Sequence, residues 1–248
     1  AQEQQLEEYL KQVLPQVKGV VLSDYGSGTI TDKLLGQIFA YCQEHNIPTI
    51  VDSRYDILRF KTVDYIKQND AELSAAIGRD LATEEELVQG GCELLLKMSA
   101  KGALITRGED GMSLFQIISP QEAADYLKSQ EVSGSGEAGQ FREGLTVKLV
   151  VKRQTGRLSV VQELISYQDR DILVSHIPVT DKSEVYDVSG AGDTCVATVI
   201  LGLAAGLEPL LACQLSNEAS GIAVRKMGTS VVYARELEAR FRQLGYEA

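Results

Sequence analysis

Apolar and polar positions along the chain change period in a regular way, and the changes mark elements. A short β-branched run, Val20 to Leu22, ends in polar residues and glycines, as a buried parallel strand does when it delivers a loop at its carboxyl end. Thr31 then caps a helix predicted to Glu44, with Leu34, Leu35, Ile38 and Phe39 on one face. IPTIVDS is the next strand and ends at an acid, Asp52; VDYIKQN is a third, followed by a short helix over 70–77. Thr83-Glu84-Glu85-Glu86 is a capping box opening a helix to Met98. GALITRGEDGMSLF reads as strand, Gly-containing turn and strand. Strand alternating with helix predicts an α/β fold with a mostly parallel sheet covered on both faces.

That rhythm breaks after Phe115. Ser119-Pro120-Gln121-Glu122 has a cap, a proline at the first helical position and an acid at the third, so a helix starts there. EVSGSGEAGQ is linker-like, and LTVKLVVKRQTGRLSVVQELI predicts two strands of a half-exposed hairpin around a Gln-Thr-Gly turn. Regular order resumes at DILVSHIPV. Residues 117–171 are therefore expected to be a small α+β insertion into a main domain made of 1–116 and 172–248. A buried helix is predicted over 190–205, closed by Gly206, then a helix over 208–226, a last short strand in GTSVVY and a terminal helix over 235–244.

Charge narrows the function. A net charge of −11 provides no basic field for nucleic acid or an anionic membrane, so any anionic ligand must be held locally. No apolar run has the length of a membrane span and no signal-peptide pattern precedes the first helix, so a cytoplasmic protein is expected. The four cysteines (Cys42, Cys92, Cys195, Cys213) show no metal spacing and, with two histidines, support neither a zinc site nor a Cys-His or Ser-His-Asp hydrolase. They read as buried thiols.

The candidate chemistry lies in YDVSGAGDTCVATV, residues 186–199. If a helix starts at Gly190-Ala191-Gly192, its first N–H groups are unpaired and face outward at the positive end of the dipole, an anion site that glycines leave open. Asp193 follows at once. A carboxylate beside an anion hole makes chemical sense if it takes a proton from a hydroxyl that attacks the bound phosphoryl group. The plainer alternative is a glycine-started helix with an acid in its first turn.

The full string DVSGAGDT resembles the carboxyl-terminal signature of the ribokinase-like (PfkB) sugar kinases. Three further segments agree, in the family's order: NDAE at 69–72, TRGEDG at 106–111 and SNEASGIAVRKMGTSVV at 216–232. Within the family, VVLSDYGSGTIT, IVDSRYDILRFK and SEVYDVSGAGDT resemble the kinase domains that act on D-glycero-D-manno-heptose 7-phosphate. Two departures bear on the acceptor: Ser27 stands where those domains carry lysine, and Ser53-Arg54 where they carry Pro-Lys.

This resemblance implies an ATP-dependent sugar kinase with Mg²⁺. Asp193 is the expected catalytic base, and Gly190, Ala191 and Gly192 the anion hole. Asn69 and Glu72 are expected to organise Mg²⁺ through water, and Thr106, Gly108 and Asn217 to line the nucleotide. Asp187, Ser189 and Gly228 match positions that in relatives help hold a monovalent cation such as K⁺. Asp24 and Asp52, at two strand ends, are candidates for the substrate wall. Each has a structural alternative: Asp24 and Asp52 as turn caps, Asn69 as a helix cap, Asp187 as a loop brace, Thr106 as a strand residue.

The expected partner is a small sugar or sugar phosphate, most simply a heptose 7-phosphate, with ribose- and fructose-type acceptors as alternatives and a homo-oligomer admitted. The family's amino-terminal substrate segment and lid are not recognised in the chain. A fragment of a full kinase, an insertion over 117–171 that supplies the missing cover, a degenerate relative that binds nucleotide without turnover and, more distantly, a scaffold protein are therefore carried beside the intact kinase.

Overall fold

The computed structural model describes residues 2–133, 136–138, 141–142, 144–155, 158–182 and 185–245. Eight α-helices are present among them: α1 (Gln2–Val13), α2 (Asp32–Glu44), α3 (Asp70–Ile77), α4 (Glu84–Met98), α5 (Pro120–Ser133), α6 (Ala191–Ala204), α7 (Pro209–Ala223) and α8 (Ala234–Gln243). The strands are β1 (Val20–Asp24), β2 (Thr49–Ser53), β3 (Tyr65–Asn69), β4 (Gly102–Thr106), β5 (Met112–Ile118), β6 (Gly136–Ala138), β7 (Phe141–Arg142), β8 (Leu145–Thr155), β9 (Leu158–Tyr167) and β10 (Arg170–Ile177). Together they form one ten-stranded sheet in the order β1-β2-β3-β4-β5-β10-β9-β8-β6, with β7 pairing β8.

The sheet is mixed. β1 to β4 run parallel, each reached through a helical or long connection, whereas β4–β5, β5–β10, β10–β9 and β9–β8 are antiparallel. The reason is loop length. Five residues separate β4 from β5 and two separate β9 from β10, too few for a crossover helix, so those strands must fold back as hairpins. Residues 117–171 supply α5 and the strands β8 and β9, and β9 joins the sheet through β10. The expected hairpin is present, with Thr155 opposite Leu158 and the turn residues 156–157 outside the described residues. Within the Gly/Ser-rich run expected as linker, α5 continues to Ser133 and Gly136–Ala138 pair with β8, while 134–135 and 139–140 lie outside the described residues.

Helices cover both faces. Val51, Ile66, Ile105, Phe115 and Val174 face the core beneath α2, α3 and α4, while Ile50, Leu104, Leu114 and Ile177 face α6 and α7 with Cys195, Val196 and Val199. Central strands sandwiched in this way need apolar residues on both faces, which is why β4 reads as an unbroken apolar run. All four cysteines are free and buried, as expected.

One expected strand is absent: 228–233 forms no ladder. Val231 and Tyr233 are exposed there, and the stretch runs along the surface into α8 without a partner strand, so its β-branched residues have no sheet to join.

Candidate active site

Four parallel strands end side by side at one edge of the sheet, and the register brings their terminal residues level. Asp24 is opposite Ser53, Asp52 opposite Lys67, and Asn69 opposite Thr106. Open α/β sheets offer their binding crevice at this carboxyl edge. α6, packed on β1 and β2, brings its amino terminus to the same place.

The start of α6 is open. Gly190, the N-cap residue, has φ +77° and no side-chain cap. That left-handed conformation is strained for a residue with a Cβ and free for glycine. Ala191 N–H bonds Val188 O, but the N–H groups of Gly192 and Asp193 bond no described group. They are the unpaired donors of a helix terminus that carries roughly half a positive charge.

Beneath Gly192 lies an ion pair that sequence reasoning missed. Lys67 Nζ is 3.1 Å from Asp52 Oδ2, and both side chains are largely shielded from solvent. A Cβ on Gly192 would stand 3.0 Å from Lys67 Nζ, so the missing side chain leaves the ammonium facing the helix start. Burial pushes the Asp52 carboxyl up against the opposing pull of Lys67, with Glu72 and Asp193 adding negative charge. Burial alone would lower Lys67, yet its pKa is raised because Asp52 and Glu72 together outweigh it. Lys67 is thus a fixed cation held by two carboxylates, Asp52 and Glu72. Asp193 itself is exposed and bonds no described side chain. Its carboxylate stands free beside the open helix start.

Asn69 and Glu72 are placed differently. Asn69 Oδ1 accepts from Glu72 N at 2.7 Å while Glu72 Oε2 accepts from Asn69 N at 2.8 Å, a complete capping box on α3. Asp24 is buried, accepting from Ser53 Oγ at 3.0 Å and Gly26 N at 3.1 Å, and so ties the loop after β1 to the end of β2. Ser27 faces solvent and pairs with Thr29, and Arg54 lies over the exposed Tyr55 ring. Asp187 accepts from Ser189 N at 2.8 Å and from Gly228 N at 3.0 Å; these bonds hold its carboxyl below the usual range and brace the loop before α6 against that after α7.

Thr106, Gly108 and Asn217, expected to line one ligand, do share a cleft of about 350 Å³ with Ala191 and Gly192. Its volume lies in the usual range for small-molecule sites. Val179, Val188, Val224 and Met112 give it apolar walls. Thr106 Oγ1 also leans on Gln68 O at 3.4 Å, and Asn217 Nδ2 donates to Pro178 O at 2.9 Å. Unforeseen from the sequence is a further wall in which Glu218, Thr180 and Arg240 bond one another. Nothing local marks it, because its three members are scattered over 60 residues.

Comparison with known proteins identifies the relatives of the chain and of its fold. The chain is 31% identical over 246 residues to the bifunctional protein HldE of Hyphomonas neptunium, covering 99% of this chain and 40% of that protein. It is 30% identical over 228 residues to the bifunctional protein HldE of Rhodospirillum rubrum, covering 92% of this chain and 35% of that protein. The chain thus spans well under half the length of these curated relatives. Among solved structures, phosphofructokinase-2 from Escherichia coli in complex with substrates and products superposes with a TM-score of 0.61 at 18% identity, covering 98% of this chain and 62% of that one. Arabidopsis thaliana ribokinase complexed with ribose and ATP gives 0.60 at 16% identity, covering 95% and 58%. These likenesses establish the ribokinase-like α/β fold. Residues 1–133 and 164–234 match the pfkB family of carbohydrate kinases, and the chain belongs to that family.

Proposed function

We propose that this carbohydrate kinase domain transfers a phosphoryl group from ATP to a hydroxyl of a heptose 7-phosphate. One observation carries the reading: the uncapped start of α6 lies over the Lys67–Asp52 pair with the free carboxylate of Asp193 beside it. The N–H groups of Gly192 and Asp193 would hold phosphoryl oxygens, with Gly190 and Ala191 shaping the turn and Lys67 adding a fixed positive charge. Asp193 would take the proton from the attacking hydroxyl.

The cleft lined by Thr106, Gly108 and Asn217 fits a nucleoside triphosphate whose phosphates end at Gly192. Glu72 fits Mg²⁺ through water, because the capping box leaves its Oε1 for a hydrated ion; Asn69, whose one side-chain oxygen already accepts in the box, would contribute through the second lone pair of Oδ1. When bound, Mg²⁺ neutralises phosphate charge. A K⁺ ion at Asp187, Ser189 and Gly228 would reinforce a loop pair that Asp187 already ties, and no step runs through it. The acceptor assignment is supported by likeness to HldE and by the cationic Arg54 beyond the end of β2. Asp24 and Asp52 bound that side of the site.

A chain that binds nucleotide without transferring phosphate is the second reading, favoured by the openness of the acceptor side, where Tyr25 and Tyr55 are 61% and 72% exposed. ADP release from Mg·ATP, measured with heptose 7-phosphate, ribose and fructose, separates the two. Sugar-dependent release that vanishes in Asp193→Asn supports the kinase. ATP binding with no sugar-dependent release supports the binder.

A further inference from the structure

The wall formed by Thr180, Glu218 and Arg240 is built with more precision than a surface contact requires. Glu218 is 4% exposed, so its charge must be compensated where it stands. Thr180 Oγ1 donates to Glu218 Oε1 at 2.6 Å, Arg240 Nε donates to Glu218 Oε2 at 2.7 Å, and Arg240 Nη2 donates to Thr180 Oγ1 at 2.7 Å. These three bonds form a closed ring that fixes the plane of the guanidinium. Nη1 is not spent in it: its partner across the gap, Asp181 Oδ2, is 3.7 Å away, beyond hydrogen-bond reach. All four residues line the same cleft as Gly192 and Asn217.

None of the four bonds Lys67 or Asp52, so this ring is a second polar group on the cleft, separate from the helix start at Gly192. With phosphates at Gly192, the nucleobase would lie toward this second group. Arg240 Nη1 meets Asp181 only through a long ion pair of 3.7 Å, so its N–H groups spend no hydrogen bond there and suit a ring nitrogen or carbonyl oxygen on the outer edge of a base. A purine extends farther from its ribose than a pyrimidine does, and its outer edge carries such acceptors. The valines and Met112 supply the surfaces against which a flat ring packs.

We infer that Arg240, held in place by Glu218 and Thr180, is the residue that makes this cleft select purine over pyrimidine nucleotides. The inference rests on the nucleotide reading above. Arg240 belongs to α8, a helix with no buried residue of its own, so the ring of bonds also joins that helix to the ligand site.

The test is calorimetric binding of ATP, CTP and inorganic tripolyphosphate to the whole chain and to Arg240→Met. Charge-assisted hydrogen bonds contribute enough that the preference for ATP over CTP should fall at least about tenfold in the variant, while tripolyphosphate binding stays unchanged. Removing Arg240 leaves Glu218 buried and unpaired, so the double variant Arg240→Met/Glu218→Gln, which removes that charge, is measured in parallel and should show the same fall. An unchanged ATP-to-CTP ratio in the folded double variant overturns the inference. So does a wild-type chain that binds ATP and CTP equally, which leaves the nucleotide reading standing. A wild-type chain that binds neither overturns both.

Discussion

Two helices begin at the same ion pair, α6 with Gly192 over Lys67 and α3 with Glu72 acting on the charge of both partners, and they treat their first turns in opposite ways. At α3 both side chains of the Asn69–Glu72 capping box turn inward to satisfy each other's backbone N–H groups. At α6 the N-cap is glycine, no side chain caps it, and the N–H groups of Gly192 and Asp193 stay unpaired beside Lys67. The dipoles are alike, yet one terminus is closed by its own sequence and the other is left for a ligand. A helix start is a binding site only where its donors are unspent, and the comparison shows where on this sheet edge that condition holds.

Removing the acid at the open terminus should have the largest effect. Asp193→Asn keeps the shape and the donors but loses the proton acceptor, so turnover should fall by roughly 10²- to 10⁴-fold while nucleotide affinity is largely retained. Steady-state kinetics beside direct binding separate the two, and a variant with wild-type turnover would remove Asp193 from the chemistry. Next is Gly192→Ala, which places a methyl 3.0 Å from Lys67 Nζ and crowds the space between that ammonium and the open terminus. Nucleotide affinity should weaken about tenfold, the scale of a lost charge-assisted hydrogen bond. Unaltered affinity would mean that the phosphates lie elsewhere.

At the closed terminus the expectation is structural first. Asn69→Ala should cost about 1 kcal/mol by loss of the cap, read from chemical denaturation. If Asn69 and Glu72 also serve Mg²⁺, the same variant requires more Mg²⁺ for half-maximal activity; an unchanged requirement reduces the pair to a cap. The smallest effect concerns the brace behind α6. The carboxyl of Asp187 is held low by the Ser189 and Gly228 N–H groups, so its contribution is complete above the ordinary aspartate range and is lost as pH falls through its depressed value. Asp187→Asn should therefore flatten the stability profile on the acid side, and parallel acid unfolding curves for variant and wild type would contradict the brace.

Much of this was legible in the chain because the signals were local. Thr31, Thr83 and Asn69 cap the helices their spacing predicts, and Gly190 opens α6 where the Gly-Ala-Gly string places it. What escaped depends on distant partners. Lys67 looks like one more polar residue in a strand until the β2–β3 register sets it opposite Asp52. Glu218 reads as an ordinary helical acid until α8 returns Arg240 to it. GTSVVY has the composition of a strand, but a strand exists only where a partner pairs with it, and 228–233 joins no ladder among the described residues. The β8–β9 hairpin was legible from its turn, but the position of β10 between β5 and β9 is a matter of topology and not of pattern.

The account's central claim is that the open start of α6, and not the capped start of α3, receives the phosphates. Backbone amide resonances followed by NMR while Mg·ATP is titrated test it residue by residue. The prediction is that the Gly192 and Asp193 amides shift most, as free donors gain acceptors, while the Glu72 amide, already bonded to Asn69, moves little. Gly192 and Asp193 amides that stay in place at saturating nucleotide would contradict it.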